Sequence, residues 1–132
     1  MFKKKIVLLS GVIAIVLFVI SGCYKTNTYV VSPGSEITQT LSFSSDIQPI
    51  FTASCALSGC HAAGAKVPNL TKENAYKALI DGAYLKASDP DNSPLILWLT
   101  GKKSPVMPLG AGPNQDINAK VYAWIKQGAK NN

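Results

Sequence analysis

The chain has 132 residues, 47% of them hydrophobic, with 13 cationic side chains against 7 anionic ones. That length allows one domain and little room for a large buried core. Every cation is a lysine, and from Cys23 onward ten lysines face seven carboxylates, a net +3; so slight an excess, with no arginine to grip phosphate or guanine in bidentate fashion, excludes nucleic acid as the expected partner.

The N-terminus reads as a leader. Lys3, Lys4 and Lys5 precede an apolar run, Ile6 to Ile20, broken only by Ser10 and Gly11, and the small pair Ser21 and Gly22 stands before Cys23. This is the plan of a secretory signal. A permanent span needs about twenty apolar residues to cross a hydrocarbon layer of roughly 30 Å, and this run is short for it. The stretch Val19-Ile20-Ser21-Gly22-Cys23 resembles the bacterial lipobox. That resemblance implies cleavage before Cys23 and a diacylglycerol on its sulfur, making Cys23 the lipidated first residue. The alternative is an uncleaved anchor with an incidental cysteine. Either way the body is expected outside the cytoplasm, tethered in a bacterial cell envelope and facing the periplasm.

From Tyr24 to Phe43 the chain is rich in Thr, Ser and Asn and shows no helical apolar period, which reads as a tether. Twenty flexible residues have an end-to-end distance of about 25 Å. The alternative is a short strand, Tyr29-Val30-Val31, lying on the domain. The expected division is a signal peptide at 1–22, a tether at 23–43 and a folded domain at 44–132.

The body reads as all-α. Ser44 or Ser45 is expected to cap a first helix that starts no earlier than Asp46, with Pro49 near its beginning and Ile47, Ile50 and Phe51 at three- and four-residue intervals. A second helix is signalled by Thr71 as cap, Glu73 in its first turn, Tyr76, Leu79 and Ile80 as its inner face, and Gly82 past its end. Asp89-Pro90-Asp91-Asn92 is a turn, after which Ser93 caps a short helix, Leu95 to Thr100, closed by Gly101. Apolar residues run all round that helix, so it is expected to be buried. The segment from Lys102 to Asn114, with Pro105, Pro108 and Pro113, is a loop. Asn114 or Asp116 opens a last helix with Ile117, Val121, Trp124 and Ile125 on one face.

Three cysteines are present, and Cys23 belongs to the leader junction. The remaining pair lies in Cys55-Ala56-Leu57-Ser58-Gly59-Cys60-His61. Two cysteines with a histidine directly after the second read as covalent haem attachment: two thiols add across the porphyrin vinyl groups, and the imidazole coordinates iron. His61 is the only histidine in the chain. Four residues separate the cysteines where two are usual, and Ser58-Gly59 supplies the freedom for the extra residues to bulge. The rival readings are a Cys55–Cys60 disulfide suited to an oxidising compartment, and a zinc site, which lacks a fourth ligand unless a carboxylate joins. A thioredoxin-like pair needs two intervening residues and does not fit.

A low-spin electron carrier needs a second axial ligand. Apart from Met1, Met107 is the only methionine, and it sits between Pro105 and Pro108, where the prolines reduce the freedom lost when its sulfur is fixed. The alternative is a methionine filling a gap in the core.

In this order the pieces resemble a class I, single-haem cytochrome c of the kind carried on lipoproteins of Gram-negative bacteria. The resemblance runs from Phe43 to Ala129 through Ile47-Gln48-Pro49-Ile50-Phe51, the cysteine–histidine motif, Asn69-Leu70-Thr71, Asp89-Pro90-Asp91-Asn92-Ser93-Pro94-Leu95, Met107-Pro108 and Trp124-Ile125-Lys126-Gln127-Gly128-Ala129. It implies a small helical bundle around one covalently bound haem c, first and last helices crossing, with His61 proximal and Met107 distal. The four-residue spacing also occurs in some multihaem cytochromes. With both axial positions filled, the expected role is one-electron transfer between redox proteins by a monomer, not catalysis. Lys66, Lys72, Lys102 and Lys103 either rim the haem edge and steer acidic partners or form ordinary solvated surface. Two other functions remain open: a haem sensor or peroxidase-like domain with an open distal site, and a haem-free, disulfide-stapled interaction lipoprotein.

A body this small buries only about 60% of its unfolded surface, so a haem slab covered by Tyr76, Leu79, Ile80, Leu95, Ile96, Trp98 and Leu99 would carry much of the core. On size alone the haem-free chain is therefore expected to be poorly folded.

Overall fold

A computed structural model describes residues 37–132, so the leader, Cys23 and the segment up to residue 36 lie outside the described residues. A π-helical turn, Phe43–Ile47, runs directly into α1, Gln48–Ser54. Then come α2, Ala75–Asp81; a 3-10 turn, Pro90–Asn92; α3, Pro94–Leu99; and α4, Gln115–Lys126. The described residues contain helices and no strand.

The first helical segment begins three residues before the expected Asp46. Its cap is Ser42, not Ser44 or Ser45: the Ser42 hydroxyl accepts the Ser45 N–H at 3.3 Å, and the Asp46 carboxylate accepts the Ser42 N–H at 2.7 Å. This reciprocal pairing resembles a capping box. Pro49 accounts for the wide opening turn. A proline ring crowds the carbonyl four residues back, and here Gln48 N–H reaches five residues back, to Phe43 O.

Helix α2 starts a turn later than expected. Thr71 does not cap it, because its N–H and hydroxyl both donate to Asn69 Oδ1, and its oxygen accepts from the Asn74 side chain. Ala75 and Leu79 are buried, whereas Ile80 is 48% exposed and leaves the expected inner face. The helix ends in a Schellman arrangement with Ala83 N–H on Ile80 O and Tyr84 N–H on Leu79 O. Gly82 is required there because a Cβ would meet the Tyr84 ring.

Ser93 precedes α3 as expected, yet its hydroxyl does not cap it. Fully buried, Ser93 accepts the Lys86 N–H at 2.8 Å and donates to Asp89 O at 3.0 Å, locking the preceding turn. Only Ile96 and Leu99 of α3 are buried; Leu95, Leu97 and Trp98 are half-buried, so the expectation of a helix covered on all sides holds for one face alone.

Helix α4 organises the core. Asn114 Oδ1 caps it by accepting the Ile117 N–H at 3.1 Å, and Gly128, with φ +101°, closes it. Val121, Trp124 and Ile125 are fully buried and Ile117 is half-buried, matching the expected face. Against it pack the turn Phe43–Ile47, the turn Pro90–Asn92 and α3. Phe43 is the hub: its ring lies 5.3 Å from Trp124, 5.3 Å edge-on from Tyr76 and 6.3 Å from Phe51.

The domain also begins earlier than the expected boundary at Ser44. The Gln127 amide accepts the Leu41 N–H at 2.9 Å and donates to Gln39 O at 2.9 Å, and Leu41 is buried. Residues 37–43 thus pack on the folded body, Gln127 bonding Leu41 N–H, Gln39 O and Ile37 O while Asp46 and Asn132 take the Ser42 and Phe43 N–H groups.

Removing the hub ring in Phe43→Ala is expected to cost about 3–5 kcal/mol, against about 1 kcal/mol for loss of the cap in Asn114→Ala. Chemical denaturation of both variants checks the ranking.

Candidate functional site

The cysteine–histidine segment leaves the end of α1 and folds into a chain of tight turns. Cys55 and Ala56 N–H both bond Phe51 O, Cys60 N–H bonds Leu57 O, and His61 N–H returns to Cys55 O at 3.1 Å. The four residues between the cysteines form the outward bulge, with Leu57, Ser58 and Gly59 exposed. Gly59 has φ +75° and free space where a Cβ would sit, so glycine is favoured there for its backbone alone.

Beyond His61, the chain returns to it. Leu70 N–H donates to His61 O at 2.8 Å, and His61 Nδ1 lies 3.0 Å from Pro68 O. A carbonyl only accepts, so Nδ1 carries a proton, and in the neutral ring Nε2 is the nitrogen with the lone pair. The ring is thus held at Nδ1, and Nε2 makes no hydrogen bond to a described residue.

Both thiols are free and half-buried. Burial, and secondarily the neighbouring Cys60, pushes the Cys55 thiol up from about 9 to about 11. Cys55 therefore stays a protonated thiol at neutral pH and is slow to attack a disulfide or an electrophile.

Met107 lies on a different loop, the one joining α3 to α4. Its N–H donates to Trp98 O at 3.1 Å, and its side chain is half-buried against the same core that Cys55 and Ala56 touch. Gly112 N–H bonds Pro108 O at 2.7 Å, folding the loop back so closely that a Cβ on Gly112 would lie 2.4 Å from Met107 O. Cys55, Cys60 and His61 are thus brought into one turn system, with Met107 on a second loop; among the described residues no hydrogen bond joins the two. Nor do three or more His, Cys, Asp or Glu side chains converge there. Cys23 lies outside the described residues, within which no helix is long and apolar enough to cross a membrane.

Of the side chains expected to cover a haem, Leu79, Ile96 and Leu99 are fully engaged in the protein core, so, contrary to the expectation from size, that core closes on protein side chains alone. Tyr76 is tied down by its hydroxyl on Ala129 O and by the rings of Phe43 and Trp124. That leaves Leu95, Trp98 and Ile80 with apolar surface to offer, and Leu57, Val67 and Leu109 are also exposed, Val67 to 81%. Two thiols, an imidazole with Nε2 open, a thioether and uncovered apolar surface fit the chemistry of a covalently held haem. The loops carrying these groups, residues 55–72 and 101–114, contain Lys66, Lys72, Lys102 and Lys103 and no carboxylate. Lys103 Nζ sits 4.7 Å over the Trp98 ring.

Sequence reasoning missed Pro68, whose contribution is a backbone oxygen, and Gln48, whose buried amide reaches Leu70 O. A half-open cavity of about 250 Å³, lined by Thr40, Leu41, Trp124, Gln127 and Lys130, contains none of the residues singled out from the sequence. No protein-family model matches this chain, and no curated protein or solved structure matches it either.

In the haem-free chain at pH 8, Cys55 is expected to react with iodoacetamide about a hundredfold more slowly than an ordinary cysteine, its rate rising until about pH 11. The sign follows from the raised value: thiol burial stabilises the fold below pH 9, and that contribution is lost as pH climbs toward 11. Mass spectrometry of alkylated peptides across pH reads the rate.

Proposed function

We propose that this protein is a lipid-anchored, periplasmic one-electron carrier, a cytochrome c-like helical bundle with a single haem c. Cys55 and Cys60 would hold the group through thioethers, and His61 and Met107 would bind its iron. When bound, the haem supplies reversible one-electron chemistry. The observation that carries the reading is the His61 imidazole, held by Pro68 O through Nδ1 with Nε2 free.

Each residue has a physical task. Pro68 O fixes the tautomer and increases the basicity of Nε2. The turn closed by His61 N–H on Cys55 O keeps both sulfurs and the imidazole in one short segment. Cys55 and Cys60, both half-buried thiols, would supply the two sulfurs for attachment. Met107, held by Trp98 O and the Gly112 contact, presents a thioether from a loop with little freedom to lose. With His61 and Met107 both on the iron, no position would remain for a substrate, so the role proposed is that of a carrier.

The uniformly cationic loops attract acidic redox proteins, with an attraction that weakens as salt screens it. Lipid on Cys23 would hold the carrier at the membrane where such partners work.

Expression with a haem-attachment machinery is expected to yield a coloured, membrane-associated protein with a low-spin spectrum, and Met107→Ala to convert it to high spin. A high-spin wild type would point to an open-site sensor or peroxidase instead. A colourless product with Cys55 and Cys60 joined would leave the haem-free interaction lipoprotein.

A further inference from the structure

We infer that Gln48 is a positioning residue for His61, acting through the Pro68–Leu70 backbone. Gln48 is 4% exposed, an unusual place for a carboxamide. Its Nε2 donates to Leu70 O at 3.3 Å and to Thr52 Oγ1 at 3.3 Å. On the other side of the same residue, Leu70 N–H donates to His61 O at 2.8 Å, and two residues earlier Pro68 O receives the imidazole proton. Residues 68–70 are thus gripped from both sides: α1 holds them through Gln48, and they hold the backbone and ring of His61.

The orientation of the amide is set by its partner. Leu70 O only accepts, so the nitrogen must face it and Oε1 must point elsewhere. Oε1 is left buried with no hydrogen-bond partner. An apolar side chain of the same size would avoid that cost. The amide instead gives Leu70 O a donor, and the benefit appears at the His61 imidazole, which is held by Pro68 O two residues earlier.

The proposal depends on the haem reading only for what His61 binds; the brace itself consists of protein hydrogen bonds. Full-length Gln48→Met, which keeps the length and removes the donor, is compared with wild type after expression with the haem-attachment machinery. Proton exchange by NMR at the Leu70 amide and His61 Nδ1 is measured against the Val121 amide in α4, which reports global stability. The expected result is about tenfold faster exchange at Leu70 and His61 with Val121 unchanged. The midpoint potential should also rise, because a looser Nδ1–H···O bond makes Nε2 a weaker donor to oxidised iron.

Equal acceleration at all three positions, or none, overturns the proposal. Should Gln48→Met fail to fold, Gln48→Leu is read in the same way. A colourless product defeats the haem reading alone, since the ratio of Leu70 to Val121 exchange needs no iron and still decides the brace.

Discussion

The fold depends on the meeting of Phe43 with Trp124. These rings join the start of the first helical segment to the last helix across some eighty residues of chain, and Tyr76 and Phe51 pack onto the same hub. Hydrogen bonds reinforce the joint at its rim, where Asn132 accepts the Phe43 and Ser44 N–H groups and Trp124 Nε1 donates to Lys130 O. Long-range apolar contacts of this kind offset the entropy of closing a large loop. Once they form, the intervening segments have fixed ends, and the turns carrying Cys55, His61 and Met107 are suspended between them.

That arrangement divides the molecule into a core that serves itself and loops that are left open. Leu79, Ile96, Leu99, Val121 and Ile125 satisfy one another, while Leu57, Val67, Ile80 and Leu109 keep exposed apolar surface. The site loops owe their shape to backbone bonds more than to side-chain burial. His61 is fixed by its own N–H, its own carbonyl and its ring nitrogen at once. In such a frame the imidazole has little orientational entropy left to lose on binding a metal.

Much of this was legible in the residues. Asn114, the apolar face of α4 and the glycine at its end announce themselves by type and spacing, and so does the Cys55–Cys60–His61 segment. The starts of the first two helices were not legible, for distinct reasons. Ser42, Ser44 and Ser45 are equivalent caps by local rule, and the choice is made by Asn132, remote in sequence, whose carbonyl accepts the Ser44 N–H and both the Ser42 and Ser44 hydroxyls while the Ser42 oxygen accepts the Ser45 N–H. Thr71 is diverted by Asn69, two residues earlier, before it can cap anything. Pro68 O and the Gln48 amide escaped notice because a backbone acceptor leaves no mark in a sequence and a buried glutamine looks like a solvated one. The separation of Ile80 from the core also required the observed packing, in which Ala75, Tyr76 and Leu79 face inward and Ile80 does not.

The clasp of Gln127 on residues 37–41 has a mechanical meaning. The first helical segment spans Phe43 to Ser54, roughly 17 Å at an ordinary helical rise, with the clasp near one end and the cysteine turn beyond the other. A tug arriving along the preceding chain is therefore borne by α4 through Gln127 before it reaches Phe43. The strain relief sits at the plug end of the cable, and the contacts at the far end are spared the jolt.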